Sequence, residues 1–166
     1  MVGKICVIGQ TVKSKTKLHD VSLNYGVALL TDRGFWGDNR YKSNGMFSVQ
    51  YVLNATERFG IGAVIGYEHS SGKHSNYSAN DFMAMLIVRA TWINKPSFTL
   101  YSKAGIGKCW MSDNDNVVSD DSSTAGIIPL PSIGGTCSLG KNFYALTEFS
   151  LFSSQGLLLF GAGYRF

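Results

Sequence analysis

Two residues in the sequence have types and a spacing that suit nucleophilic catalysis. His69 and Ser71 are two positions apart, so on a strand their side chains lie on the same face. A histidine that removes the proton of a serine hydroxyl makes the oxygen a nucleophile. A third group has to orient the histidine, and Asp81 is the only nearby candidate. Because polar residues at a strand end are usually interfacial, we expect no catalytic site and no enzyme.

A second set of residues carries isolated charges on the small-residue side of alternating segments. The set comprises Glu68, Arg89, Lys103, Glu148 and Arg165. These residues could gate a narrow pore, or they could form an ion network that fills a closed interior. Since each buried charge needs a partner and a small barrel has room only for side chains, we expect an ion network. The sequence therefore predicts a plugged lumen, with Glu148 paired to Lys103, Arg89 or both.

Other motifs for ligand binding are weak. The glycines between residues 60 and 66 have the wrong spacing for a dinucleotide fingerprint, and no helix follows them. The acidic stretch 113–121 has neither the glycine nor the distal glutamate of a known calcium loop. The three cysteines lack metal-site spacing, and a net charge of +4 with scattered basic residues gives nucleic-acid binding little support. We expect no metal, no cofactor and no nucleic acid partner.

The elements that carry these residues are strands, because alternation of apolar and small residues recurs eight times. The segments are 20–30, 45–53, 58–70, 81–92, 97–110, 126–138, 143–152 and 157–166. Large apolar side chains occupy one face of each segment, and glycine, small polar residues and a few charges occupy the other. Only 16% of the residues are charged, against about 25% in soluble domains. The pattern predicts an all-β protein.

The links between the segments predict how the strands are arranged. Links 31–44, 70–80 and 111–125 are long, whereas those between them are short and the last one, 153–156, is tight. Such alternation is typical of an up-and-down antiparallel barrel whose long loops all leave one end. The segments also have about the 9–11 residues that a transmembrane strand needs. We therefore predict a membrane-spanning barrel of eight strands whose apolar face meets lipid and whose small-residue face lines the interior.

The segment from residue 20 to residue 166 resembles the small eight-stranded outer-membrane β-barrels of Gram-negative bacteria, such as the transmembrane domain of outer-membrane protein A. The closing FGAGYRF is similar to the C-terminal assembly signal of these proteins, with Phe160, Tyr164 and Phe166 on one face. The resemblance implies a bacterial outer-membrane location and recognition by the barrel assembly machinery. Residues 1–19 have no clear place in this design, and Pro129 and Pro131 should interrupt the sixth strand.

The expected function is that of a structural, adhesive or surface-interaction protein of the cell surface, present as a monomer. Its long loops would contact lipopolysaccharide or an extracellular ligand, mainly through one stretch that mixes aromatic and basic residues. That stretch contains Arg33, Phe35, Trp36, Arg40, Tyr41 and Lys42.

Two alternatives remain open at this point. The spacing of His69 and Ser71 resembles that of outer-membrane lipid A deacylases, which implies a lipid A-modifying hydrolase. The other alternative is a soluble lipocalin-like binder, in which the apolar faces would line a ligand cavity.

Overall fold

The chain forms one closed antiparallel sheet. The computed structural model describes residues 18–29, 41–72, 78–113, 128–129, 131–152 and 155–166. The strands are β1 (His19–Ala28), β2 (Tyr41–Asn54), β3 (Phe59–Gly72), β4 (Ser78–Asn94), β5 (Phe98–Asp113), β6 (Ile128–Pro129), β7 (Ser132–Ser138), β8 (Phe143–Phe152) and β9 (Gln155–Arg165). Strand β1 pairs with both β2 and β9, and β4 pairs with both β3 and β5, so the sheet closes on itself.

Strands β6 and β7 are two parts of one barrel strand, so the barrel has eight. Both pair with β5 in a single register, with Ile106 opposite Pro129 and Lys103 opposite Ser132. Pro129 and Pro131 lie at the break between the two parts, because a proline has no N–H to donate to the ladder. The predicted eight-stranded up-and-down barrel and the predicted interruption are both confirmed.

The last strand closes the barrel against the first, as the sequence predicts. Strand β9 pairs with β1 from Asp20 opposite Arg165 to Ala28 opposite Leu157. Beyond these pairs, the backbones of His19 and Phe166 exchange two hydrogen bonds of 3.0 Å each. The ladder therefore runs to the final residue of the chain and leaves no open edge at this seam.

The two faces of the sheet differ as predicted, with the apolar face outside. On β4, outward-facing Leu86 is 69% exposed, while its neighbour Met85 points inward and is 3% exposed. Within the described strands, the carboxylates of Asp20, Glu68 and Glu148 are all buried in the lumen. The lipocalin-like alternative is therefore wrong, because the apolar faces do not surround a ligand cavity.

The outer apolar band has the height of a membrane. On β4 it runs from Phe82 to Trp92, which are 50% and 69% exposed. Ten residues of strand span roughly 33 Å, which corresponds to roughly 25 Å along the barrel axis at a tilt of about 40°. None of the residues that the structure describes forms a helix long and apolar enough to cross a membrane.

Several strands extend further towards the long loops than the sequence predicts. Tyr41 and Lys42 were expected in a surface loop, but they begin β2 and pair with Gly72 and Ser71 of β3. The extension includes an irregularity between Ser43 and Met46, where a glycine at position 45 adopts a φ of 102° that suits a bulge.

Some sequence predictions lie outside the described residues. They concern the loop residues Arg33, Phe35, Trp36 and Arg40, the acidic stretch after residue 113, and the segment before residue 18.

Candidate functional site

The centre of the lumen contains a buried ion pair between β5 and β8. Lys103 Nζ lies 2.7 Å from Glu148 Oε1, and both side chains are almost fully buried. Glu148 also accepts hydrogen bonds from Tyr101 (2.9 Å) and Ser150 (3.0 Å). Lys103 donates a second bond to Gln50 Oε1. Both charges are thus held by several partners, which is what compensates their removal from water.

A second cluster, nearer the short-turn end, is built around Asp20 of β1. Its Oδ2 lies 2.9 Å from Arg89 Nη1 and 3.5 Å from Arg165 Nε, and its Oδ1 accepts a hydrogen bond from the Tyr144 hydroxyl. The sequence prediction of the network missed Asp20. The alternation in β1 could have predicted it, because it places Asp20 on the same inward face as Ser22.

The two clusters are linked through Tyr101, whose hydroxyl donates to Glu148 of one cluster and whose ring faces the Arg89 guanidinium of the other. The guanidinium of Arg89 also donates to Asn54 Oδ1 at 2.6 Å and lies 5.5 Å from the ring centroid of Tyr101. The other guanidinium, that of Arg165, donates to Thr136 Oγ1 at 2.8 Å. Four of the five residues expected in an interior network, namely Arg89, Lys103, Glu148 and Arg165, are thus brought together.

Glu68, the fifth residue, does not join this network. It is buried on β3 near the long-loop end, directly opposite Asp81 of β4. Arg89 is paired instead with the glycine at position 60, about 26 Å from Glu68 along the strand. The prediction of a single network was wrong here. The alternation shows that a side chain points into the lumen, but it does not show how far along the barrel axis that side chain lies. The described residues contain no group of three potential metal ligands.

Large side chains fill the lumen around the ion network. Tyr101 and Tyr144 are only 1% and 2% exposed, and each ring covers a glycine of a neighbouring strand. A Cβ atom built on Gly134 would lie 2.7 Å from the Tyr101 ring, and one on Gly163 would overlap Tyr144. These glycines are therefore required for packing, which explains why small residues alternate with large ones on the inner face.

A small cavity and a wider cup border the filled region. One, next to Gln50, Lys103 and Glu148, has a volume of ≈ 10 Å³, about the space of a single water molecule. The other is a cup of ≈ 470 Å³ at the short-turn end, lined among others by Arg89 and Arg165.

The outer face carries a polar cluster at the long-loop end, where the sequence placed His69 and Ser71. His69 Nδ1 lies 2.8 Å from Asn80 Oδ1, which also accepts a hydrogen bond from the Tyr67 hydroxyl at 2.8 Å. Because a carbonyl oxygen accepts, Nδ1 carries the proton and the lone pair of His69 is on Nε2. Ser71 Oγ accepts a hydrogen bond of 2.6 Å from Asn44 Nδ2. We call this cluster, with Ser78, the outer polar patch.

Asp81 cannot orient His69, which corrects the sequence interpretation. Its side chain is 4% exposed and faces the lumen, whereas His69 belongs to the outward phase of β3. Asn80, one residue earlier, is on the outer face and contacts the ring instead. Sequence analysis missed Asn80 because the contact depends on the register of β3 against β4.

The aromatic residues of the proposed assembly signal face outward on β9 and at its end. Phe160, Tyr164 and Phe166 are 50%, 37% and 55% exposed. The Phe166 ring stacks on His19 with centroids 5.1 Å apart, and Tyr164 packs edge-on against Phe143 at 4.9 Å. The terminal aromatic thus belongs to a cluster of rings at the short-turn end.

Comparisons with known proteins identify the fold. No family model matches the chain, and no curated protein matches its sequence. Among solved structures, Neisserial surface protein A has a TM-score of 0.55 at 12% identity, with 89% of this chain and 97% of that chain covered.

Two further structures agree with that result. Ail, the attachment invasion locus protein of Yersinia pestis, has a TM-score of 0.53 at 16% identity, with 90% of this chain and 99% of that chain covered. The N-terminal β-barrel domain of Pseudomonas aeruginosa OprF has a TM-score of 0.52 at 13% identity, with coverage of 90% and 98%. The chain therefore has the fold of the small eight-stranded outer-membrane β-barrels.

Proposed function

We propose that the protein is an integral, non-catalytic barrel of a bacterial outer membrane that acts as a structural or surface-interaction protein and does not conduct ions. The observation that carries this proposal is the inside-out distribution of side chains. Large apolar residues cover the outer face, while charged residues are buried inside. In water this arrangement would expose an apolar surface far larger than monomeric soluble proteins tolerate, whereas in a bilayer it is the favourable one.

The absence of conduction is inferred from the lumen network, which joins side chains of different barrel strands across the interior. Its members come from seven of the eight barrel strands, namely Asp20 (β1), Gln50 (β2), Arg89 (β4), Lys103 (β5), Thr136 (β7), Glu148 (β8) and Arg165 (β9). Opening a continuous path would require several buried ion pairs and hydrogen bonds to break together. Each broken pair leaves an uncompensated charge at a cost of about 3–5 kcal/mol.

Membrane fractionation and planar-bilayer recording test this proposal. We expect the protein in the outer-membrane fraction and no steady, large conductance. The matched control is the double variant Tyr101→Ala/Tyr144→Ala, which removes two of the largest buried lumen side chains and should raise conductance. A wild-type protein that conducts as well as this variant would show that the lumen is open.

The surface-interaction part of the proposal rests on the aromatic and basic residues between Arg33 and Lys42, of which the last two begin β2. Aromatic side chains next to arginines suit recognition of a partner. The test is binding of the reconstituted protein to lipopolysaccharide and to host-cell surfaces, compared with a variant in which Phe35, Trp36 and Arg40 are replaced by serine. Equal binding by the two proteins would remove this link from the proposed function.

A second candidate function, a lipid A-modifying hydrolase, is favoured by one contact. The Asn80 carbonyl holds the Nδ1–H of His69, which leaves Nε2 as the base that serine activation needs. Against it, the Ser71 hydroxyl is already engaged as an acceptor by Asn44.

Fatty-acid release from lipid A, measured by mass spectrometry, separates the two candidates. A hydrolase would lose its activity on Ser71→Ala or His69→Ala but retain it on Ser102→Ala, a control at the opposite end of the barrel. The non-catalytic proposal expects no release from any of these proteins.

A further inference from the structure

We propose that the outer polar patch, together with Lys42 and Lys108, is a binding site for the phosphate-bearing headgroup of an anionic lipid. This inference rests on the proposed membrane location, and it specifies the place on the barrel and the chemistry of the lipid. The site lies on the outer face of β2 to β5, at the end where the long links leave.

The patch provides neutral hydrogen-bonding groups at the upper border of the apolar band. His69 and Asn80 are half-buried on adjacent strands and hold each other at 2.8 Å. Because Nδ1 of His69 donates within the patch, Nε2 is left to accept a hydrogen bond from a hydroxyl group of the headgroup. The Ser71 hydroxyl, whose oxygen accepts from Asn44, has its O–H to donate to a phosphate oxygen. The hydroxyls of Ser71 and Ser78 are on directly paired residues of the same two strands. The patch is therefore a preorganised polar platform.

Two lysines lie on opposite sides of this platform. Lys42 of β2 is paired with Ser71, and its outward phase places it beside the patch. Lys108 of β5 is paired with Ala84 of β4, and its Nζ lies 5.5 Å from the ring centroid of Trp110. Its ammonium thus extends towards the long-loop end. From β2 to β5 there are three strand spacings, about 14 Å, and Lys108 also lies six residues lower than Lys42 along the strands, about 20 Å, because its partner is Ala84 whereas Lys42 is level with Ser78. The two lysines therefore lie diagonally above and below the patch, and Lys108 reaches it by extending upward past the Trp110 ring.

The charge on this surface is of one sign among the residues that the structure describes. The strand carboxylates with described side chains, Asp20, Glu68, Asp81 and Glu148, are all buried in the lumen. Hence no described strand carboxylate on the outer face neutralises Lys42 or Lys108. Unneutralised lysines at a membrane surface attract anionic lipids, and lysine is a common binder of phosphate.

The surface below the patch suits the acyl chains of the same lipid. Tyr67, Phe82 and Trp110 are consecutive cross-strand partners on β3, β4 and β5, with the rings of Tyr67 and Phe82 5.0 Å apart. Beneath this row, Ile65 and Leu86 are 65% and 69% exposed. A polar, cationic platform directly above an apolar wall is complementary to an anionic lipid, which carries its charge at one end.

Quenching of tryptophan fluorescence by brominated lipids tests the inference, because Trp110 lies at the site and Trp92 lies at the opposite end of β4. One protein retains only Trp110 (Trp36→Phe, Trp92→Phe), and the other retains only Trp92 (Trp36→Phe, Trp110→Phe). Each is refolded into vesicles of phosphatidylcholine and phosphatidylglycerol, in which one of the two lipids at a time is brominated on its chains. The ratio of quenching by the anionic and zwitterionic lipids measures selectivity at each tryptophan.

We expect anionic selectivity at Trp110 and much less at Trp92. Substituting Lys42→Gln or Lys108→Gln should reduce the selectivity at Trp110, each by roughly fivefold in relative binding constant. Lys95→Gln, which removes an exposed lysine in the turn after β4, should leave it unchanged. Equal quenching of Trp110 by the two lipids, or selectivity insensitive to both lysines, overturns the proposed site. If neither brominated lipid quenched Trp92, the proposed membrane location would instead be refuted.

Discussion

At the scale of single residues, Lys103 and Glu148 illustrate why buried charges make the lumen specific. Both side chains are removed from water, and each charge compensates the other. Glu148 also accepts hydrogen bonds from Tyr101 and Ser150, and Lys103 donates one to Gln50. The net stabilisation from such a pair is small, because desolvation offsets most of the attraction. Removing one partner is different, since the remaining charge keeps its desolvation cost and loses its compensation.

We therefore predict that Glu148→Gln lowers the free energy of unfolding by about 3–5 kcal/mol. The double variant Glu148→Gln/Lys103→Met should recover a large part of that loss, because it removes the stranded cation as well. Equilibrium urea unfolding of the protein refolded in detergent micelles gives both values. Glu57→Gln, at an exposed acid in the turn between β2 and β3, is the control and should change stability little. A double variant less stable than Glu148→Gln would contradict the explanation.

At the scale of the strand, each element presents two environments at a period of two residues. Strand β4 is an example, with Met83, Met85 and Ile87 buried in the lumen and Leu86 and Val88 exposed on the outer face. The depth of a residue within the bilayer matters as well as its face. Leu86 lies four residues from Phe82 and six from Trp92, so it is near the middle of the apolar band.

Leu86→Arg should consequently destabilise the barrel in lipid by about 2–4 kcal/mol, the cost of a charge at the bilayer midplane. The control is Leu86→Ala, which removes the same apolar side chain without adding a charge and should cost clearly less. Unfolding in phospholipid vesicles measures both variants. If the arginine variant were as stable as the alanine variant, the outer face of β4 would not be facing hydrocarbon.

At the scale of the whole molecule, local patterning and long-range register determine different features. Alternation alone predicted eight strands, their faces and the closing pair β1–β9, since these depend on phase and on the order of the links. It did not predict that Asp20 joins Arg89 and Arg165, or that His69 contacts Asn80. Those contacts depend on how far each strand is shifted against its neighbours, and no local pattern encodes that shift. The same limit explains why Glu68 was assigned to the wrong cluster.

The final residue connects closure of the barrel with its assembly, and its deletion separates the two. Without Phe166 the barrel loses one ring that stacks on His19 and two backbone hydrogen bonds at the seam. For a half-exposed aromatic this costs about 1–3 kcal/mol, so the shortened protein should still refold in detergent. We predict that it inserts poorly into the outer membrane of cells, because the proposed signal for the assembly machinery is missing.

Phe143→Ala is the matched control for this deletion. It removes another exposed ring of the same cluster, one that packs against Tyr164, and leaves the C-terminus intact. Its cost in detergent should be similar, while its insertion in cells, measured by protease protection and by fractionation, should stay close to that of the wild type. If the two variants inserted equally well, Phe166 would contribute packing alone. If both failed to refold in detergent, the ring cluster itself would be required for closure, and the separation of folding from recognition would not hold.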